Sequence, residues 1–222
     1  MSEDTRRLSR ESLAQGDPTG WFEKLYAEAG AGTAEVPWDS QRPSRLLAEW
    51  VRAGAVTARG RTALVIGCGL GRDAEFLAGL GFTTTAFDIS PTAVRTARER
   101  HPASVVEYGV ADLLDPPPQW RGAFDLVLES NNVQALPQPQ RGQAIAQVGP
   151  LVAPGGTLLV LAAAATGNDQ DGPPWPLSRA EIDSFATVGL TAVSVQEVPD
   201  AGDPLISRWR AEFRTAPVEP SP

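Results

Sequence analysis

The stretch LVIGCGLGRDAEFLAGLGFTTTAFDIS, residues 64–90, runs from an apolar segment through three alternating glycines and a helical segment over 72–80. It then enters TTTAF and reaches an acid, Asp88. Short apolar runs bounded by glycine read as strands. Strand, glycine turn, helix and a second strand with an acid at its carboxyl end outline the crevice in which open α/β sheets bind nucleotides.

Counting the glycines narrows the ligand. A dinucleotide fingerprint needs G-x-G-x-x-G, whose third glycine lets the helix pack closely beneath a pyrophosphate. Here the glycines are Gly67, Gly69 and Gly71, and Arg72 stands where that third glycine belongs. A phosphate-binding P-loop fails too, because no Gly-Lys-Ser/Thr follows. The remaining G-x-G-x-G still lets backbone approach a ligand closely, since glycine lacks a Cβ. Asp88 lies 21 residues after Gly67, at a strand end suited to a ribose diol. Asp112, beyond the next strand, is placed to meet an adenine edge or to order its own loop. Gly and Asp also dominate ordinary turns. Their order, each at a strand end, favours a nucleoside site.

Outward from this stretch the same rhythm continues: TALVI, TTTAF, SVVEY, FDLVLE and TLLVLAAA alternate with helical segments over 72–80, 91–100 and 138–148. That alternation predicts a mostly parallel sheet with helices on both faces. Ser90-Pro91 reads as a helix cap with proline at the first position, Gly149-Pro150 as a helix stop, and Ser178 to Glu181 as a capping box. Segments 190–198 and 204–214 read as an antiparallel pair at the sheet edge. Ahead of the sheet, the first dozen residues are polar and read as mobile or loosely helical. Asp17-Pro18 reads as a cap for a helix bearing Trp21, Phe22, Leu25 and Tyr26. Leu46, Leu47, Trp50 and Val51 mark a second amphipathic helix. The division expected is 1–59 as an N-terminal helical segment over the active site, 60–216 as the core, and 217–222 as a flexible tail.

The chain of 222 residues is 42% hydrophobic and 21% charged, with a net charge of −8, which fits a globular domain and disfavours nucleic-acid backbone. One cysteine, Cys68, excludes an internal disulfide framework; within the glycine turn it reads as a packed small residue, a reactive thiol being the alternative. One histidine and one cysteine leave little for a zinc site. The N-terminus lacks a signal-peptide core and the longest apolar run is too short to span a bilayer, so no membrane partner and a cytoplasmic location are expected. Oligomeric state is not legible.

Taken together, LVIGCGLG, Asp88, Asp112 in GVADL, FDLVLE, and LVAPGGTLLVL with its Pro154-Gly155-Gly156 resemble the class I S-adenosylmethionine (SAM)-dependent methyltransferases. The resemblance is strong over about residues 60–198. It implies a Rossmann-like seven-stranded sheet, mostly parallel with an antiparallel last strand, with helices on both faces and an N-terminal helical lid. It implies SAM as cofactor, with S-adenosylhomocysteine (SAH) as product. Gly67, Gly69 and Gly71, with Cys68 between them, would line the methionine side. Asp88 would hold the ribose hydroxyls, with Ile89 beside the adenine. Asp112 would take the adenine amine and Leu113 would pack on the ring. Glu129 and the following Ser130-Asn131-Asn132 would form the floor between cofactor and acceptor. The Arg-Asp after the glycines and the PWD segment are similar to the thiopurine and halide/thiol branch. That likeness would place Trp38 over the cofactor and Asp73 at the methionine amino group, although ESNNVQALPQPQR departs from that branch's acceptor region.

Methyl transfer needs orientation and desolvation more than a strong base. Glu129 and Asn132 are the candidate catalytic residues; a capping acid and an Asx turn are the structural alternatives. His101 reads as a solvated or capping residue outside the site. Trp21, Trp38, Trp50 and Trp175 either close an acceptor pocket or staple the extra segments to the core. The function expected is methylation of an N, O or S atom of a small molecule, with a mild preference for an aromatic or heteroaromatic one. A non-catalytic SAM/SAH-binding protein and an NAD(P)-dependent oxidoreductase are the alternatives.

Overall fold

Seven strands, β1 (Thr62–Ile66), β2 (Thr83–Asp88), β3 (Glu107–Val110), β4 (Phe124–Ser130), β5 (Val152–Ala163), β6 (Leu190–Pro199) and β7 (Ser207–Thr215), form one sheet in the order β3-β2-β1-β4-β5-β7-β6. The computed structural model describes residues 2–54, 56–166, 172–187, 189–203 and 206–217. β1 to β5 run parallel to one another, while β7 is antiparallel to both β5 and β6. The expected edge pair is therefore present, with the last strand tucked inside β6. Residues 204 and 205, at the head of its second expected strand, lie outside the described residues, as does the expected tail beyond Pro217.

The central strands are apolar on both sides because both faces are covered. Leu64, Ile66, Val127, Leu158 and Val160 belong to one core, which packs on α6 (Gln140–Val148) and α7 (Arg179–Asp183). Ala63, Val65, Leu126, Leu128 and Leu159 belong to the other, under α3 (Arg45–Arg52), α4 (Arg72–Gly79) and α5 (Pro91–Arg100). The local signals act as expected at three helix starts and ends. Ser90 Oγ accepts the Ala93 amide with Pro91 at the first turn. Ser178 and Glu181 form a reciprocal capping box. Gly149 is the C-cap of α6.

The N-terminal segment corrects two expectations. Residues Glu3–Ala14 form an ordered helix, α1, capped by Ser2. It carries one large buried apolar residue, Leu8, but Thr5, Ser9 and Ser12 are buried with it. Small polar side chains allow close approach to α2 (Gly20–Gly30), and Ser12 Oγ donates to Asp17 O at 2.7 Å. The weak hydrophobic pattern concealed this packing. Asp17-Pro18 is not the start of α2: Thr19 is its N-cap, and Asp17 Oδ1 accepts the Thr19 and Gly20 amides at 3.0 and 2.7 Å from just outside.

Candidate functional site

At the carboxyl ends of β1, β2 and β4 the chain encloses a cavity of about 610 Å³. Its walls include Gly67, Cys68, Gly69, Asp73, Asp88, Ile89, Asp112, Leu113, Asn132 and Trp38. Gly67, Asp88 and Asp112, from three separate strand ends, thus share one wall, because parallel strands end on the same side.

The glycine turn shows why side chains are excluded. Gly67 has φ +54°, and a Cβ there would come within 1.8 Å of Asn132 Oδ1. Gly69 has φ +53°, and a Cβ would come within 2.9 Å of Tyr26 Oη. Gly71 caps α4 and lies against Tyr108 Oη, outside the cavity wall. Cys68 is buried, and burial pushes its thiol well above the ordinary value, so it is held neutral.

Asp88 is 5% exposed and bridges the two strand ends. Its Oδ2 accepts the Gly69 amide at 2.8 Å and its Oδ1 accepts the Ser90 amide at 2.9 Å. Burial raises its pKa to about 6, partly opposed by backbone amides of Ser90, Gly69 and Ile89. A carboxylate has lone pairs beyond two such bonds, so the group still has acceptor capacity for a diol. Asp112 Oδ1 accepts the Leu114 amide at 2.8 Å, which holds the loop carrying Leu113. Asp73 accepts the Ser44 amide at 2.7 Å, and burial raises its pKa.

The N-terminal segment forms the outer wall. Trp38 Nε1 donates to Tyr26 Oη at 2.7 Å, directly above Gly69. Trp38 also meets Trp21 edge-on, with ring centroids 6.2 Å apart. Glu23 was not legible as a site residue. From α2 its carboxylate accepts Ser90 Oγ at 2.5 Å, the Thr92 amide at 3.0 Å and Thr92 Oγ1 at 2.6 Å. It therefore caps α5 from another helix, two residues beyond Asp88.

Glu129 is placed differently from the expected floor. It is fully buried, and its Oε1 accepts the Asn132 and Val133 amides at 2.7 and 3.0 Å. Its Oε2 has no hydrogen-bond partner among the described residues, and burial raises its pKa to about 7. The carboxyl lies beneath the turn and is absent from the cavity wall. Asn132 does line the cavity, with Nδ2 donating to Ile66 O at 2.7 Å and Ser130 O at 3.1 Å. Asn131 holds φ +66°, a strained conformation for a residue with a side chain.

Trp21, Phe22, Leu136, Pro173 and Pro174 also line the cavity, as do Asp200 and Arg208. The tryptophans divide. Trp21 and Trp38 line the cavity, Trp50 and Trp209 are core residues, and Trp175 lies under the Arg141 guanidinium at 5.8 Å. His101 is the C-cap of α5 behind the glycine turn, where a Cβ on Gly71 would meet its ring at 3.3 Å; it does not line the cavity. Among the described residues, no group of three or more His, Cys, Asp or Glu side chains could hold a metal ion. Nor, among them, is any helix long and apolar enough to cross a membrane.

The donor set fits a nucleoside of the SAM type: open backbone at Gly67 and Gly69, a carboxylate for a diol, and an acid with an apolar neighbour, Asp112-Leu113, for a base. Residues 63–156 match the family described as "Methyltransferase domain". The chain is 32% identical over 147 residues to a ubiquinone biosynthesis O-methyltransferase of Xanthomonas campestris pv. campestris. That match covers 63% of this chain and 61% of the relative, so the chain spans about three fifths of that relative's length. It is 27% identical over 216 residues to thiocyanate methyltransferase 1 of Brassica oleracea, covering 94% of this chain and 90% of the relative. Among solved structures, the N-methyltransferase NodS of Bradyrhizobium japonicum, in complex with SAH, superposes with a TM-score of 0.65 at 21% identity, over 87% of this chain and 98% of that one. In fold, glycine turn and matched segment the chain is similar to the class I SAM-dependent methyltransferases, a fold for which SAM/SAH binding is typical.

Proposed function

We propose that the protein is an enzyme that transfers the methyl group of SAM to an N, O or S atom of a small molecule. The observation that carries this reading is one cavity shared by two kinds of wall. Gly67, Gly69, Asp88 and Asp112 line it, and so do the apolar Trp21, Phe22, Leu136, Pro173 and Pro174. SAM supplies a methyl carbon made electrophilic by a sulfonium, and transfer forms the acceptor–carbon bond as the carbon–sulfur bonding pair passes to sulfur. The chain's part is to bind and orient. Asp88 would take the ribose hydroxyls and Asp112 the adenine amine. Asp73 would take the methionine amino group, and Ile89 and Leu113 would flank the base. Trp38 and Tyr26 would shield the glycine turn from water.

Within the superfamily we favour the branch that holds thiopurine and halide/thiol methyltransferases. Supporting it are the position of Trp38 above Gly69, Asp73 in the wall, and a thiocyanate methyltransferase aligned along 94% of the chain. Residues 1–59 would act as the cover of the site. Calorimetry with SAH, SAM, NAD and NADP tests the reading. Micromolar binding of SAH with no heat from NAD is expected, and the reverse would overturn it. A non-catalytic SAM/SAH-binding protein predicts cofactor binding without turnover of any small thiol, phenol or amine in a panel.

A further inference from the structure

Gln134 is 6% exposed and lines the cavity from the short 3-10 turn Val133–Ala135. Buried polar groups are paired as a rule, and this side chain is paired at one end. Its Oε1 accepts the Ala163 amide of β5 at 2.6 Å. A backbone amide only donates, so that bond settles which end of the side chain is the oxygen. Nε2 is directed away from it and has no hydrogen-bond partner among the described residues. Of the enclosed side-chain nitrogens and oxygens described, the one without a partner is Glu129 Oε2; Nε2 therefore keeps open surface, and the opening that Gln134 lines is the cavity. The turn is held firmly, with its Asn132 and Val133 amides on Glu129 Oε1 and the Trp175 amide on Gln134 O at 2.7 Å. That last bond brings the chain just after Pro173-Pro174 against Gln134. On its other side Ala135 packs in a cluster with Trp21 and Phe22. Asn132, two residues before and so no more than about 7 Å away along the chain, touches the glycine turn at Gly67.

We propose that Gln134 is a specificity-determining residue for the methyl acceptor, and that the acceptor is a neutral, largely apolar molecule whose carbonyl-type oxygen takes a hydrogen bond from Nε2. This deepens the methyltransferase reading above and rests on it. A fixed, uncharged amide offers its N–H groups to a lone pair. Ala135, Leu136, Trp21, Phe22 and Pro173 give it apolar surroundings in the same cavity. A ligand without a lone pair displaces water from Nε2 and leaves it unpaired, which is how a polar group set in an apolar pocket rejects analogues. The charges of the wall are matched without the acceptor. Its arginines are each paired: Arg45 with Glu49 at 2.7 Å, Arg72 with Asp73 at 3.8 Å, and Arg208 with Asp200. Asp88 and Asp112 are the remaining acids of the described wall, and the reading above gives both to the nucleoside. The oxygen bound by Nε2 is not the methylated atom, so Gln134 orients the acceptor and moves no proton.

The test is calorimetry on the full chain, with and without saturating SAH. Acetophenone is the neutral carbonyl probe, toluene its hydrocarbon counterpart, and benzoate and benzylammonium the charged ones. Acetophenone is expected to bind about fivefold or more tighter than toluene, the scale of one hydrogen bond, and tighter than either ion. Gln134→Glu keeps an oxygen for the Ala163 amide and exchanges the free donor for an acceptor. The margin of acetophenone over toluene should then vanish, while toluene and SAH affinities stay within about twofold of the unmodified protein's, a change too small for a lost hydrogen bond in a pocket. Gln134→Met gives up the Ala163 bond as well and should lose the same margin. If Gln134 only tied the turn to β5, the Met variant would unfold at a lower temperature and the margin would survive in both variants; that result overturns the proposal. So does a chain that binds SAH and shows no margin, or one that binds benzoate or benzylammonium more tightly than acetophenone. Absent SAH heat would instead count against the cofactor reading, and the margin measured on the unloaded protein would still decide the role of Gln134.

Discussion

The Asp88 carboxylate accepts the Gly69 amide at 2.8 Å across two adjacent strand ends. One bond therefore ties the glycine turn to the acid expected to hold the ribose. Asp88→Ala removes the proposed diol acceptor and leaves the Gly69 and Ser90 amides without their partner. Losing a charge-assisted pair costs about 1–3 kcal/mol. SAH binding measured by calorimetry is expected to weaken by roughly tenfold to a hundredfold on that basis. Unchanged affinity would remove Asp88 from the site.

Gly67 separates backbone strain from collision. Gly67→Ala places a Cβ at φ +54° and 1.8 Å from Asn132 Oδ1. Gly60→Ala, at φ +76° with nothing within 4 Å, carries the strain alone, about 1–2 kcal/mol. Gly67→Ala should destabilise the chain more than Gly60→Ala in chemical unfolding and weaken SAH binding more than tenfold, whereas Gly60→Ala leaves SAH binding unaltered. Equal losses of stability would show that Asn132 yields without cost.

Gly71 caps α4 outside the cavity wall, but the positions of Asp88, Gly67 and Gly69 in that wall were legible because they follow from local order: a strand, a turn, and an acid at the next strand end. Glu23, Asp200 and Arg208 were not. Arg208 and Arg210 alternate with Trp209 and Ala211, which marks a strand face. Only the pairing of β7 with β5 brings Arg208 to the carboxyl end. Glu23 caps a helix 67 residues away, and no sequence spacing encodes that. The identity of Glu129 was legible as a strand-end acid, but its direction was not. The three-residue turn after it folds its own amides onto the carboxylate and leaves Asn132 in the wall.

Buried Glu129 gives stability a pH dependence of definite sign. Its folded pKa, raised to about 7 by burial, lies above its ordinary value of 4.5. The native state then holds a proton that the unfolded chain releases, so this stabilisation is complete below the unfolded pKa and is lost as pH rises through about 7. Thermal unfolding midpoints should fall between roughly pH 5 and pH 8 for this reason. Glu129→Gln keeps an oxygen for the Asn132 and Val133 amides without a titrating proton, so its midpoint should vary less over that range. An identical pH slope in both proteins would show that Glu129 does not titrate there.

Glu23 behaves with the opposite sign. Partial burial works to raise its pKa, but hydrogen bonds from Ser90 Oγ, Thr92 Oγ1 and the Thr92 amide outweigh this and hold it below the ordinary value. Its contribution is present above the unfolded pKa and is lost as pH falls through the lowered folded one. Because it caps α5 from α2, Glu23→Gln removes a charge at a helix N-terminus and loosens the attachment of the N-terminal helices. The loss expected at pH 7 is about 1 kcal/mol, the scale of a helix cap. It should shrink in acid, as the unmodified protein also loses the charge. Hydrogen exchange supplies the second readout: amides of α2 should exchange faster in Glu23→Gln, while those of β1 and β4 stay protected. If β1 and β4 loosened equally, Glu23 would be supporting the whole core and not the attachment of α2.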